Sequence, residues 1–296
     1  MRVRRPRRCL IPERSGPNVR QRRIARRLCE WRKAHGGTQD EIGRKLGWSG
    51  AKLSRYERAD QVAGPAEIIA VATILGISEE ERDHMVGIAA SAAQQDGWWR
   101  SYGPEAVRGN FEDFIETEAD ASTVCNVEVM LIPGLLQTAA YAAQILRTSI
   151  DEPTEALVET RRQLREQRQS RLDEDEPLQL HAVIHENALR LPVGDRTTMR
   201  QQLGDLLGRA KQANVTLQIL PSNAGAYPHI GTAYQLLYFN NSELPAAYLD
   251  NLTDGIYLEA ADDLRAYTMN FERLVQVAHD PAESVKLISR IRDEWT

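Results

Sequence analysis

The chain has 296 residues, 42% of them hydrophobic, and 37 basic against 42 acidic side chains give it a net charge of −5. That is enough for one small domain and one of ordinary size, each with its own core. Three scattered cysteines (Cys9, Cys29, Cys125) rule out a disulfide framework or a zinc knuckle, and no apolar run is long enough to cross a bilayer, so the composition predicts a cytoplasmic protein with reduced thiols and no membrane partner.

Positive charge is concentrated at the start. Residues 1–62 hold 18 Lys and Arg against 6 Asp and Glu, a net of +12, whereas 63–296 hold 19 against 36, a net of −17. A basic head suits the phosphate backbone of double-stranded DNA and predicts salt-dependent binding, and the acidic remainder would repel DNA. Residues 1–17 are rich in Arg and Pro and are expected to be a disordered basic tail. It is either an arm that enters a DNA groove or the product of an upstream start codon; no hydrophobic stretch follows to make it a signal peptide.

Residues 18–33 carry Ile24, Leu28 and Trp31 on one helical stripe, and Gly36-Gly37 ends that helix. Residues 38–57, TQDEIGRKLGWSGAKLSRYE, have the pattern of a helix-turn-helix. Thr38 and Glu41 form a capping box, Ile42 and Leu46 an inner face at i, i+4, and Leu53 and Tyr56 a second one. Gly43 stands where the second helix must approach, Gly47 where the turn needs positive φ, and Ser49 can cap the second helix. The pattern alone also fits an ordinary helical hairpin. A further helix opens at Gly64-Pro65, its apolar positions including Ile68, Ile69, Ala72 and Leu75, and Ser78 with Glu81 predicts a capping box and a helix to about Ala93. The head, 18–94, is therefore read as an all-α domain of about five helices.

In helix-turn-helix docking the second helix enters the major groove and the first crosses the backbone. The candidate DNA-binding residues are Gln39, Arg44, Ser49, Gly50, Ala51, Lys52, Ser54 and Arg55. Arg55 and Lys52 can bond guanine or phosphate, Ala51 can touch a thymine methyl, and Gly50 offers no side chain. Gln39 can contact phosphate or brace the recognition helix, and Trp48 in the turn is read as packing. Arg20, Arg22, Arg23, Arg26 and Arg27 form, with Arg44, a wider electrostatic set, part of which is expected to be a solvated helix face.

From Gly97 the pattern changes. Helices are predicted at 111–119, 138–148, 153–171, 195–212, 262–277 and 281–292, and strands at 123–131, 178–184, Val215–Leu220, 232–239, Ala246–Asp250 and Gly255–Leu258. Residues 95–296 are thus read as a mixed α/β (α+β) regulatory or interaction domain. His181 and His185 share a strand face but lack a third metal ligand. Glu116, Glu118 and Asp120 are read as a solvated face or strand edge, and 173–176 as a solvated acidic loop. Residues 223–231, with Tyr227 and His229, are read as a flexible loop able to cover a pocket. No phosphate loop or nucleophile elbow occurs, so no enzyme activity, cofactor or metal is expected.

The head resembles the Xre/phage-repressor helix-turn-helix class. GWWRSYG at 97–103, Glu118-Ala119, LIPGLLQT at 131–138, Leu220-Pro221, Ala224-Gly225-Ala226 and Gly255-Ile256-Tyr257-Leu258-Glu259 resemble an actinobacterial group that includes WhiJ-type regulators, whose C-terminal domain has no known function. The resemblance covers about 18–293 and implies transcription regulation, with genes for small partner proteins often nearby; a homodimer is expected besides. The chain departs from the group at Gly50, where Gln or another polar residue is usual. Three roles remain for the body: sensing a small-molecule effector or dimerising, docking a small partner protein as in antitoxin-like pairs, and catalysis beside a DNA-binding head; the head decides against an enzyme-only protein.

Overall fold

The computed structural model describes residues 17–94, 97–107, 110–227, 231–240, 245–251, 255–258 and 260–295. Residues 1–16 of the expected tail lie outside them, as do His229 and Glu259. The chain divides into two compact units, Met1–Asp96 and Gly97–Thr296.

The first unit contains α1 (Val19–His35), α2 (Gln39–Leu46), α3 (Gly50–Glu57), α4 (Pro65–Leu75) and α5 (Glu79–Gln94). Asn18 and Gln21 make a capping box that starts α1, and Gly36 ends it in the left-handed conformation at φ 79°. Ile24, Leu28, Trp31, Ile42, Leu53 and Met85 meet in one core. In α4 the buried stripe is Ile68, Val71, Ala72 and Leu75, and Ile69 is exposed, because positions 3, 4 and 7 after Ile68 share its face. Ser78 does cap α5 at the Glu81 amide (3.3 Å), but the box is half made: the Glu81 carboxylate is taken by the Trp31 indole N–H and by Arg27.

The second unit is α+β. After a 3-10 turn at Trp98–Tyr102 come α6 (Asn110–Asp120), β1 (Thr123–Glu128), α7 (Ala139–Arg147), α8 (Glu155–Gln169), β2 (Gln179–His185), α9 (Glu186–Arg190), α10 (Arg196–Arg209) and β3 (Val215–Leu220). Then follow β4 (Tyr234–Tyr238), β5 (Ala246–Asp250), β6 (Gly255–Leu258), α11 (Ala261–Val277) and α12 (Pro281–Glu294). The sheet order is β3-β2-β1-β4-β5-β6. β1, β2 and β3 run parallel, and β4, β5 and β6 add antiparallel pairings. Alternation along β1 sends Val124 to one face and Cys125 and Val127 to the other. On the first face pack α6, α7, α8, α10 and α12, through Phe114, Tyr141, Leu164, Leu203 and Ile288. On the second packs α11, through Leu264, Phe271 and Leu274.

The predicted strand at 123–131 ends at Glu128, and the chain then enters a turn at Gly134–Leu136. Three glutamines, Gln137 and Gln202 buried and Gln169 half-buried, hold this turn. The Gln202 amide donates to Leu136 O and accepts from Thr138 N (both 2.7 Å), Gln137 donates to Ile132 O (2.7 Å), and Gln169 donates to Gly134 O and Gln137 O (both 2.8 Å). The LIPGLLQT run is thus a loop whose backbone polar groups are satisfied by side chains instead of by a ladder.

Candidate nucleic-acid interface

The helix-turn-helix is set by local chemistry. The Glu41 amide donates to Thr38 Oγ1 (3.2 Å), and the Glu41 carboxylate accepts from the Thr38 amide (2.8 Å) and the Thr38 hydroxyl (2.9 Å), two bonds that hold its pKa below the usual carboxylate range. Gly47 ends α2 at φ 70°, and the Trp48 amide closes back on Gly43 O (2.8 Å). A Cβ on Gly43 would stand 3.1 Å from Trp48 O and 3.2 Å from Gly50 N, so its lack of a side chain lets α3 approach. Ser49 caps α3 by accepting from the Lys52 amide (3.2 Å).

Behind α3 lies a brace. Gln39 Nε2 donates to Glu57 Oε2 (2.8 Å), and Arg32 forks onto the same carboxylate through Nε (2.6 Å) and Nη2 (2.8 Å). Burial pushes the Glu57 carboxyl up, but the bonds from Arg32 and Gln39 outweigh it and hold its pKa low. The three residues tie the ends of α1, α2 and α3 together. The Gln39 amide is thus held against the Glu57 carboxylate within the fold.

The other candidates separate by exposure. Ser49, Ala51, Arg55 and Arg44 are exposed, and Gly50, Lys52 and Ser54 are half-buried. Lys52 Nζ lies 4.4 Å from the Trp48 ring centroid and 5.6 Å from that of Tyr56, and the two rings pack edge to face at 5.7 Å. Trp48 therefore packs, and its ring face seats the Lys52 ammonium. Arg55 makes only a long bond to Gln61 (3.4 Å) among the described residues. At Gly50 a Cβ would stand 1.8 Å from Asp40 Oδ1. The exposed Asp40 carboxylate thus covers the position that lacks a side chain, a placement that sequence spacing did not indicate.

The wider basic set is smaller than expected. Arg20 and Arg23 are buried, at 8% and 2% exposure, and so do not belong to a phosphate-facing surface. Arg27 pairs with Glu30 (3.0 Å) and with Glu81. Arg22 donates to Pro17 O (2.8 Å), and Arg26 lies 3.9 Å from Glu30.

In the second unit the sequence-predicted polar groups have structural partners. His181 Nε2 lies 2.7 Å from Gln218 Oε1, and its ring meets Phe271 edge to face. His185 Nδ1 accepts from the Asn187 amide (3.0 Å) and so caps α9. No group of three metal-ligating side chains occurs among the described residues. Glu116 and Glu118 are not solvated but buried, at 7% and 3% exposure, and Arg168 forks onto Glu118 through Nε (2.7 Å) and Nη2 (2.8 Å). Asp173 pairs with Arg209 (2.8 Å). No helix of the described residues is long and apolar enough to cross a membrane.

Two family models match the chain. One, a helix-turn-helix domain, covers residues 23–85. The other, a domain of unknown function (DUF5753), covers residues 111–290. No curated protein and no solved structure matches it.

Proposed function

We propose, because the chain belongs to the family of the domain of unknown function DUF5753 and a helix-turn-helix domain precedes that domain, that the protein is a sequence-specific transcription regulator. The helix-turn-helix domain implies DNA binding. The reading rests most on α3, where Ser49 and Ala51 at its start and Arg55 one turn on are exposed on a frame fixed by the Gly47 turn and the Gln39–Glu57–Arg32 brace. In the major groove that end faces base edges. Arg55 then forks onto guanine O6 and N7, Ala51 meets a thymine methyl, and Ser49 and Ser54 hydrogen-bond. Lys52 and Arg44 contact phosphate, and Gln39 orients the helix. Gly50 adds no contact of its own. The group is the Xre-type, WhiJ-like one, and the DUF5753 domain serves sensing or dimerisation without catalysis.

Selection of bound duplexes from a random pool by the purified full chain tests this directly. An enriched motif is expected. Enrichment of none, with all binding lost at moderate salt, would reduce the head to a non-specific contact. A homodimer requires a two-fold motif with half-sites about 34 Å apart. Light scattering that gives a monomer on a single half-site overturns that part.

A further inference from the structure

On α8, Arg161, Arg165 and Arg168 fall at i, i+4 and i+7 and project to one side. With apolar walls that include Phe111, Leu146 and Leu164, they line a cavity of about 220 Å³. Two of the guanidinium groups are paired with carboxylates. Arg161 bonds both oxygens of Asp151 (3.2 and 2.6 Å) and Glu105 O (3.0 Å). Arg168 forks onto Glu118, and its Cζ lies 5.0 Å from the Phe114 ring and 5.5 Å from the Phe111 ring.

Arg165 differs from both. Among the described residues it makes one hydrogen bond, from Nη1 to the Gln137 amide oxygen, and no ion pair, and its buried Nε has no acceptor. Glu118, Asp250 and Glu128 reach it only through the electrostatic field. Burial, and then the neighbouring charge of Arg168, draw its pKa down to about 10. Buried charged donors without an acceptor are rare in native folds. A guanidinium fork with one neutral partner, next to apolar walls, suits a planar anion with an apolar tail. A volume below the ~300 Å³ of ordinary drug-sized pockets restricts that ligand to few heavy atoms.

We propose that this cavity binds a small monocarboxylate, its carboxylate on Arg165 and its aliphatic or aromatic tail against Phe111, Leu146 and Leu164. This rests on the sensing role proposed for the DUF5753 domain and gives it a ligand class. It is tested without DNA, so that either reading can fail alone. The full chain is titrated with hexanoate, benzoate and inorganic phosphate at matched ionic strength, by calorimetry and thermal unfolding. A saturable rise in Tm with one of the two carboxylates is expected. Arg165→Met should weaken its binding about tenfold or more, since a charge-assisted fork is lost. Arg165→Lys, which keeps the charge without the fork, should fall between, and Leu146→Trp, which fills the cavity, should abolish binding. The proposal is overturned if neither carboxylate binds, if phosphate alone binds, or if binding survives undiminished in the folded variants.

Discussion

At Gly50 a Cβ would stand 1.8 Å from Asp40 Oδ1, 2.9 Å from Asp40 Cγ and 3.1 Å from Asp40 Cα. The first contact is with the end of a side chain that can turn away, but the last is with backbone. Gly50→Ala should therefore cost about 1–3 kcal/mol in urea unfolding, as overpacking does, although alanine is the better helix former. Asp40→Ala in the same chain should return part of that loss, and a double-mutant cycle measures the share. If Gly50→Ala is neutral, α2 and α3 are not in close contact here. Arg55 is the opposite case, exposed and bonded only weakly to Gln61. Arg55→Ala should lower binding to the selected duplex by ~1–3 kcal/mol and leave binding to random duplex nearly unchanged if it reads guanine. Fluorescence anisotropy against both duplexes separates this from a phosphate contact, which would weaken both alike.

Helices α6 and α8 are tied by Glu118 and Arg168, buried at 3% and 6% exposure, and Arg171 adds bonds to the carbonyls of Glu118 and Ala119 at the end of α6. Removing one partner of a buried pair leaves the other charge uncompensated. Glu118→Gln should thus destabilise the chain by ~3–5 kcal/mol, whereas a solvated Glu would change little. Urea midpoints of the variant and the wild type decide between them. This pair marks the limit of what could be read from the chain. Arg168 lies 50 residues from Glu118, and no local period links them, so acids that look like a wet helix face turn out to be internal. Arg20 and Arg23 are hidden by the same gap between local pattern and tertiary burial. α9 was missed because five residues are too few for a helical period and its cap is the unusual His185. The helix-turn-helix was legible because its caps, turn glycine and apolar spacings all act within a few residues. The brace was half legible: Gln39 was a candidate, but the Glu57 and Arg32 that complete it lie 18 residues beyond and 7 before it.

Over the whole molecule, charge is graded from a basic start to an acidic remainder, and acidity in the second unit reaches the interior. Burial, reinforced by Asp250 and opposed by Arg165, raises the Glu128 carboxyl from its ordinary 4.5 to about 8. The folded chain therefore holds a proton there that the unfolded chain has given up over the range between those two values. Folding takes up that proton, so this group's contribution is fully present below about pH 4.5, falls as pH rises, and is lost once pH passes about 8. The slope cannot exceed about 1.4 kcal/mol per pH unit, the value for one proton. Glu57 and Glu186, whose pKa values are held low, act in the opposite sense and lose their contribution only as pH falls through the acid range. The two tendencies place greatest stability on the mildly acidic side of neutrality. Glu128→Gln isolates the first of them, because the amide stays neutral throughout. Urea midpoints at pH 5, 6.5 and 8 should show the variant gaining on the wild type as pH rises. Parallel pH profiles for the two chains would mean that Glu128 ionises as an ordinary surface carboxyl and that the charge on Arg165 is answered within the protein.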